Sequence, residues 1–354
     1  MSTKNWEFLV AEAEKLKHKL SKGAELVLNP PDLKLGITPH KVVFTENKMK
    51  LLHYTSQTEE QCPVPLVMVF ALVNRSYILD LKPGKSVVEV LLKHGMDTYL
   101  IDWGVPGDED CHLNMNHYVN RYIKKAVEKA KRISGSDKVN LLGYCMGGTM
   151  SAMYTALHPE DINTLILMAA GIDFKVDGML NLWGDKPNFD VDKFVDAHGN
   201  VPPEFLQIGF LFMKPVQNLV SKYLSFYENI ENDNFVENFL AMEAWLGDNI
   251  PVAGEVFREF IKYCYQDNLL IQNKLKINGR TVNLGNITCP VLNLVAEKDH
   301  LVPPESSIGF NDLTSSKDSK TIVFPSGHIG LSVSSRCLKA LWPEVAGWVG
   351  ERSV

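Results

Sequence analysis

Residues 138–157 read Lys138-Val-Asn-Leu-Leu-Gly-Tyr-Cys-Met-Gly-Gly-Thr-Met-Ser-Ala-Met-Tyr-Thr-Ala-Leu157. The first five have the pattern of a buried strand, a glycine-rich turn follows, and the remainder favours a helix. The spacing Gly143-x-Cys145-x-Gly147 is typical of a nucleophile elbow, with cysteine in the place usually taken by serine. Such a turn holds one side chain at a helix N-terminus, where free N–H groups favour a thiolate or an oxyanion. We therefore expect Cys145 to be a nucleophile in acyl transfer; a buried structural thiol is the alternative.

Strands and helices are predicted to alternate on both sides of this turn. A hairpin at 42–45 and 49–54 comes first along the chain. The expected strands are at 65–73, 98–103, 138–142, 164–168, 290–296 and 321–324, and the expected helices are at 86–94, 116–132, 149–157 and 331–349. Alternation of this kind is typical of a parallel sheet that is covered by helices on both faces. The predicted fold class is therefore α/β, with a mostly parallel sheet.

The alternation stops after Asp173. Residues 174–286 are rich in aromatic residues, Met and Leu but show no clear succession of strands and helices. We interpret them as a helical cap inserted between two parts of the core, 31–173 and 287–354; extra core without a functional role is the alternative. Residues 1–30 are predicted to form an N-terminal helical segment, which either covers the core or binds a partner.

The bulk composition limits the class of protein. The chain has 354 residues, is 45% hydrophobic and 22% charged, and has a net charge of −6. We therefore expect a globular protein for which nucleic acid is not a general partner. The six cysteines lie apart, without C-x-x-C spacing, which favours reduced thiols in a cytoplasmic protein. The N-terminus lacks a signal-peptide pattern, and the longest apolar run, Val64–Val73, is about half a membrane span, so no transmembrane segment is expected.

A cysteine nucleophile needs a base and a group that orients the base. In α/β-hydrolase folds the acid and then the histidine follow the nucleophile along the chain. Asp299 comes directly after the predicted strand 290–296, and His328 lies in a glycine-rich loop after the strand 321–324. We expect Asp299 to be the acid and His328 the base; a turn or helix-capping aspartate and a loop histidine bonded to backbone are the alternatives. His300 adjoins Asp299 and is either an accessory site residue or a packing residue.

Acyl transfer also needs an oxyanion hole, a pair of N–H donors for the charged oxygen of the intermediate. The elbow offers the backbone N–H of Met146. The loop after an earlier strand offers the N–H of Val73. Arg75, in the same loop, is either a surface residue or the partner of an anionic group.

Two other motifs are incomplete. Lys82-Pro-Gly-Lys-Ser86 is like the end of a phosphate-binding loop, but Leu79 stands where the first glycine is required. Gly107-Asp-Glu-Asp-Cys-His112 contains metal-ligating residue types, yet a solvated acidic loop explains it better. We therefore predict neither a nucleotide-binding loop nor a metal site.

Taken together, these residues resemble those of one enzyme family. From about residue 36 to the C-terminus, the chain is similar to the catalytic, PhaC-type subunit of two-component polyhydroxyalkanoate synthases of class III or class IV. The matching stretches are Gly36-Ile-Thr-Pro39, Ala71-Leu-Val-Asn-Arg-Ser-Tyr-Ile-Leu-Asp80, Tyr99-Leu-Ile-Asp-Trp-Gly104, Gly143-Tyr-Cys-Met-Gly-Gly148, Gly199-Asn-Val-Pro-Pro203, Asp299-His-Leu-Val-Pro-Pro304 and Gly327-His-Ile-Gly330. The set is specific, although each stretch alone is not. Tyr144 and Met146 in the elbow favour class IV.

The resemblance implies an α/β-hydrolase fold and the polymerisation of (R)-3-hydroxyacyl-CoA, with short acyl chains such as 3-hydroxybutyryl, into a polyester with release of CoA. The family's nucleophile, acid and histidine fall on Cys145, Asp299 and His328. Its oxyanion donors fall on Val73 and Met146. CoA is part of the substrate, so no cofactor is implied. A second synthase subunit of the PhaE or PhaR type, an oligomeric enzyme and association with cytoplasmic polyester granules are also implied.

Three other functions compete with this hypothesis. Hydrolases of the dienelactone hydrolase type also have a G-x-C-x-G-G elbow with aspartate and histidine, but they are much shorter and have no large cap. A cysteine-dependent thioesterase is closer, since only the exclusion of water separates hydrolysis from polymerisation. A non-catalytic granule-binding protein is the third, and the intact set of Cys145, Asp299 and His328 argues against it.

Overall fold

A sheet of eight strands forms the centre of the molecule. The computed structural model describes residues 3–178, 180 and 184–354, the side chains of residues 3–10 excepted. The strands are β1 (His40–Glu46), β2 (Met49–Tyr54), β3 (Leu66–Val69), β4 (Asp80–Lys82), β5 (Lys85–Ser86), β6 (Thr98–Asp102), β7 (Val139–Tyr144), β8 (Ile162–Met168), β9 (Lys276–Ile277), β10 (Arg280–Thr281), β11 (Val291–Ala296) and β12 (Ser319–Phe324). The order in the large sheet is β1-β2-β6-β3-β7-β8-β11-β12. From β6 to β12 the neighbouring strands are parallel, and β2 is antiparallel to β1 and β6. The predicted α/β class is confirmed.

Both faces of the sheet are buried. On β3, Val67 and Val69 belong to one hydrophobic cluster, whereas Leu66 and Met68 belong to the cluster on the other face. Strands that are buried on both faces have continuous apolar sequences rather than alternating ones. This explains the uninterrupted apolar run around β3.

Helices supply the two outer layers. They are α1 (Thr3–Leu28), α2 (Val87–Lys93), α3 (Lys124–Ser134), α4 (Met146–Leu157), α5 (Val191–His198), α6 (Pro203–Met213), α7 (Lys222–Glu228), α8 (Asp233–Gly247), α9 (Gly254–Phe260), α10 (Pro304–Ser307), α11 (Gly330–Val333) and α12 (Trp342–Gly350). Wider helical turns occupy His117–Ile123, Gln217–Ser221, Ile261–Gln266 and Cys337–Leu341. Apolar residues of α3 and α4 pack on one face of the sheet, and those of α2 and α12 pack on the other.

The helices α5 to α9 lie within residues 174–286. No strand of the large sheet falls in the described part of that range. Its C-terminal end packs against the core, because Asn286 donates a side-chain hydrogen bond to the last turn of α4 at Ala156. The division of the chain into an N-terminal segment, a core and a cap stays a prediction.

Helix α1 contacts the last residue of α7 and the segment that joins α7 to α8. The Lys19 ammonium donates to the Glu228 carbonyl at 3.1 Å, and the His18 ring lies 2.7 Å from the Glu231 carboxylate. Among the described residues, no helix is both long enough and apolar enough to cross a membrane.

Two elements differ from their predicted extent. Strand β3 is shorter than the predicted strand 65–73, because the chain leaves the sheet after Val69 and continues as a buried apolar loop. The predicted helix 331–349 is interrupted at Ser334, where the backbone is extended. The Ser334 hydroxyl accepts a hydrogen bond from the Cys337 N–H at 3.2 Å and so begins a new helical segment.

Candidate active site

Cys145 stands at the sharp turn between β7 and α4. Its backbone has φ +55° and ψ −127°, a region that residues other than glycine rarely adopt. The Cys145 N–H donates to the Met168 carbonyl at 2.9 Å, and the Cys145 carbonyl accepts from the N–H groups of Gly148 and Thr149. This backbone network holds the strained conformation. The thiol is therefore fixed at the N-terminus of α4.

Glycine is required on both sides of Cys145. A Cβ at Gly147 would lie 2.2 Å from the Val69 carbonyl oxygen, and one at Gly143 would lie 2.5 Å from the Cα of Gly148. Both distances are far below van der Waals contact, and both involve backbone atoms that cannot rotate away. The close approach of α4 to β3 and β7 therefore depends on these glycines.

We predict that Gly147→Ala lowers the free energy of unfolding by about 3 kcal/mol, because the new methyl group forces α4 away from β3. Denaturant titration measures this change. The control is Gly347→Ala in α12, where an added Cβ meets nothing within 4 Å. That variant should be as stable as the wild type or up to about 1 kcal/mol more stable. Equal stabilities of the two variants would contradict the packing argument.

The structure brings Asp299 and His328 together beside the elbow. Asp299 follows β11 and His328 follows β12, so both lie at the carboxyl edge of the sheet with Cys145. The His328 Nδ1 lies 2.6 Å from the Asp299 Oδ2. The other carboxylate oxygen, Oδ1, accepts from the N–H groups of Leu301 and Val302 at 2.9 and 3.0 Å. Asp299 is only 5% exposed, so its charge is balanced by these donors rather than by water.

The surroundings of His328 stabilise its protonated form. Burial alone would lower the pKa of His328, but the negative charges of Cys145 and Asp299, together with hydrogen bonds to both, raise it to about 10. The imidazolium is therefore the dominant form near neutral pH. A histidine beside a cysteine at an elbow is the arrangement that nucleophilic catalysis by cysteine requires.

The Cys145→Ala substitution should lower the pKa of His328 by about 1 to 3, since it removes one of the two negative charges that stabilise the imidazolium. Histidine NMR titration of the wild type and the variant measures this shift. The resonances of His94, whose ring is exposed, provide the control within the same spectra. An unchanged His328 pKa would mean that the thiol and the ring do not interact.

The two residues that carry the predicted oxyanion donors line the same cavity as the thiol. Val73 and Met146 line one cavity with Cys145. In the part of the chain that the structure describes, no protein acceptor is bonded to the backbone N–H of either residue. Met146 is the first residue of α4, where N–H groups have no partner within the helix. Both N–H groups are therefore free to bind a substrate oxygen.

Cys145 opens onto an apolar cavity of about 90 Å³. Core and predicted cap both contribute to its walls, and none of the described residues that line it is Asp, Glu, Lys, Arg or His. The lining residues are Ala71, Val73, Cys145, Met146, Thr149, Gly171, Phe174, Leu180, Leu206, Phe210, Val252, Phe257, Phe260, Ile261, Tyr265, Leu301 and Val302. An acyl group bonded to Cys145 would therefore be surrounded by hydrocarbon and poorly accessible to water.

Tyr144 is a site residue whose role the sequence did not indicate. Its hydroxyl donates to the His328 carbonyl at 3.1 Å. Its ring stacks on the His328 imidazole, with 5.1 Å between the two ring centroids. Burial raises the pKa of Tyr144 well above its ordinary value, so the hydroxyl remains a donor. The side chain thus orients His328. An aromatic residue directly before the nucleophile is a local pattern that could have pointed to this contact.

Other candidate residues lie apart from this cluster. His300 is exposed and is not among the residues that line the cavity, so the structure does not bring it to Cys145. Arg75 pairs with Asp248 at 3.2 Å. Within the acidic loop 107–112, Glu109 and Asp110 pair with Lys48.

The sequence of this chain is similar to two protein-family models and to several named proteins. Residues 7–91 match the model of the poly-beta-hydroxybutyrate polymerase (PhaC) N-terminus, and residues 67–334 match that of the alpha/beta hydrolase fold. The PhaC subunit of the poly(3-hydroxyalkanoate) polymerase of Haloferax mediterranei is 49% identical over 100% of this chain and 71% of its own. That of Allochromatium vinosum is 42% identical over 97% of both chains. This chain belongs to the PhaC family. The predicted resemblance is confirmed.

Solved structures support the fold of this PhaC chain. A monoacylglycerol lipase from Paleococcus ferrophilus has a TM-score of 0.52, with 16% identity, and the match covers 87% of this chain and 100% of the lipase. Est1E from Butyrivibrio proteoclasticus has a TM-score of 0.51, with 14% identity, over 88% and 98% of the two chains. At these identities the likeness concerns the fold alone. It confirms the predicted α/β-hydrolase fold.

Proposed function

We propose that this PhaC chain polymerises (R)-3-hydroxyacyl-CoA into a poly(3-hydroxyalkanoate) through a thioester on Cys145. One observation carries the proposal: in a member of the PhaC family, a cysteine at a nucleophile elbow opens onto an uncharged cavity beside a buried Asp299–His328 pair. The relatives are named as polymerase subunits, which favours polyester synthesis over the hydrolase and thioesterase alternatives.

The first step loads an acyl group onto the enzyme. The Cys145 thiolate attacks the thioester carbonyl carbon, and the N–H groups of Val73 and Met146 bind the oxyanion that forms. The intermediate collapses by breaking the bond to the CoA sulfur, and the leaving thiolate takes a proton from His328. Loading exchanges the thioester of CoA for a thioester of Cys145. The two thioesters have nearly equal free energies, so loading is reversible. The step uses protein side chains and backbone groups and needs no cofactor.

The second step extends the chain. The 3-hydroxyl of another hydroxyacyl-CoA attacks the acyl-Cys145 carbonyl, His328 takes the hydroxyl proton, and Cys145 leaves as a thiolate. The lengthened acyl-CoA then reloads Cys145 and releases CoA. Both oxygens of Asp299 are already bonded, one to His328 and one to backbone N–H groups. This supports a role for Asp299 that acts through His328 rather than on the hydroxyl itself.

Exclusion of water favours polymerisation over hydrolysis. Water would attack the same acyl-Cys145 carbonyl and end the chain. The lining of the cavity offers water few hydrogen-bond partners, whereas an acyl chain fills it with favourable apolar contact. The wall that helices α6 and α9 contribute is therefore part of the proposed specificity for a hydroxyacyl acceptor.

The remaining partners follow from the family rather than from this site. The proposal includes a second synthase subunit of the PhaE or PhaR type, short acyl substrates such as 3-hydroxybutyryl-CoA, an oligomeric enzyme of class III or class IV, and a location at polyester granules in the cytoplasm.

Incubation with (R)-3-hydroxybutyryl-CoA tests the proposed activity. The expected products are free CoA and an insoluble polyester, measured by thiol release and by turbidity. The assay is run with and without a co-expressed PhaE- or PhaR-type subunit, and the rate should rise with the correct partner. Stoichiometric release of free 3-hydroxybutyrate without polymer, in the presence of either partner, would instead identify a thioesterase.

A further inference from the structure

The loop that carries Val73 is fixed at both ends by indole N–H groups. It leaves β3 at Phe70 and ends at Arg75, before a short helical turn. The Trp103 Nε1 donates to the Phe70 carbonyl at 3.0 Å, and the Trp245 Nε1 donates to the Arg75 carbonyl at 2.8 Å. Val73 lies between these two anchored carbonyls. The two hydrogen bonds therefore hold the backbone on either side of Val73.

The two anchors belong to different parts of the chain. Trp103 follows the core strand β6, whereas Trp245 lies in the last turn of α8, inside the predicted cap 174–286. Both indoles are buried, with exposed fractions of 8% and 4%. A buried donor that loses its acceptor costs free energy, so each bond resists displacement of the loop.

Helix α8 makes a second contact to the same loop. The Asp248 carboxylate, which directly follows the helix, accepts a hydrogen bond from the Arg75 guanidinium at 3.2 Å. This pair is partly exposed and therefore weak on its own. The pair nevertheless holds Arg75, whose carbonyl accepts the hydrogen bond from Trp245. The end of α8 thus contacts both the side chain and the backbone of Arg75.

We propose that Trp245 is a positioning residue for the oxyanion hole, acting through the Arg75 carbonyl on the direction of the Val73 N–H. The proposal rests on the proposed acyl-transfer function. A donor contributes most when it points at the oxyanion before the reaction begins. Acyl transfer is therefore efficient only when α8 is seated on the loop, which makes formation of the oxyanion hole dependent on the cap.

The Trp245→Phe substitution keeps an aromatic ring and removes the donor. We expect kcat for CoA release to fall about 10- to 100-fold, since a donor misplaced by a fraction of an ångström stabilises the transition state poorly. KM should stay unchanged, because the N–H binds the oxyanion rather than the substrate ground state. Replacement of Trp245 by 3-benzothienylalanine, which has the indole shape without the N–H, is the second variant and guards against a loss of packing.

Alkylation of Cys145 by iodoacetamide separates positioning from general damage. This displacement forms no oxyanion, so its rate should be the same in the wild type and in both Trp245 variants. Tyr154→Phe is the control for loss of a buried hydrogen bond elsewhere, because it removes the 2.7 Å bond to Asp161 near the far end of α4. It should destabilise the fold without changing kcat. Wild-type kcat in both Trp245 variants, or a parallel loss of alkylation and turnover, would overturn the proposal.

A second assay distinguishes a failure of the proposed polymerase function from a failure of the positioning role of Trp245. Acylation of Cys145 is also measured with an activated aryl ester, which reports the oxyanion hole without any polymerisation. If the wild type accepts the aryl ester but forms no polymer, polyester synthesis fails, while the comparison of Trp245 variants on the aryl ester still decides the positioning role. Equal acylation rates of the wild type and both variants would decide against it.

Discussion

The Cys145→Ala substitution should abolish CoA release, with a rate at least about 10⁴-fold below that of the wild type. The reason is that the proposed mechanism forms a covalent bond to this sulfur in every cycle, and no other group at the elbow can replace it. Thiol release from (R)-3-hydroxybutyryl-CoA measures the effect. The fold should be retained, because alanine is smaller than cysteine at a position that borders a cavity.

A second cysteine provides the control for this substitution. Cys62 is half-buried, does not line the cavity at Cys145, and has its sulfur near the Ser353 carbonyl. Cys62→Ala should release CoA at the wild-type rate. Normal turnover by Cys145→Ala would contradict the covalent mechanism. An equal loss of CoA release in both variants would indicate general destabilisation.

The Asp299→Asn substitution should slow acylation and elongation together, by about 10³- to 10⁴-fold. The carboxylate both orients the His328 ring and stabilises its positive charge across a 2.6 Å contact. An amide in its place removes the charge and can present an N–H to Nδ1, which favours the wrong tautomer. Rapid-quench measurement of acyl-enzyme formation gives the first rate, and polymer accumulation gives the second.

The two rates distinguish the possible roles of Asp299. Because the carboxylate acts through His328 in this account, both steps should lose similar factors. Fast acylation with arrested elongation would instead mean that Asp299 removes the proton from the hydroxyl directly. Asp312→Asn, which changes an exposed carboxylate after β11, should leave both rates unchanged.

The sequence predicted the elbow well because its determinants are local. Glycines at 143 and 147 around a cysteine, between an apolar strand and a helix of small residues, specify a tight turn irrespective of the rest of the chain. Asp299 and His328 could be chosen because the fold places the acid and the base after particular strands. Chain order and strand succession were sufficient to predict that these two side chains lie together, and their roles in catalysis stay a prediction.

Contacts between distant segments could not be predicted in the same way. The bond from Trp245 to the Arg75 carbonyl joins residues that are 170 positions apart, and Trp245 belongs to no motif. The contact of Tyr144 with His328 spans 184 positions. Composition and periodicity report which residues are buried, but they do not report which partner a buried donor finds.

Apolar runs also proved ambiguous. The run around β3 continues past the end of the strand, since the loop that follows is buried beside the cavity. In α6, Leu206 and Phe210 line the cavity, whereas Ile208 and Phe212 are exposed. Hydrophobicity alone indicates an environment without identifying the element or the face that occupies it.

Mass spectrometry of the chain after a brief incubation with (R)-3-hydroxybutyryl-CoA tests whether the polyester grows on Cys145. We predict a series of adducts on the peptide that contains Cys145, spaced by one hydroxybutyryl unit, and no series in Cys145→Ala. Such a series requires both a thioester on this cysteine and a hydroxyl as the acceptor. A single acyl unit that disappears as free acid, or adducts confined to another residue, would rule out polymerisation through a thioester on Cys145.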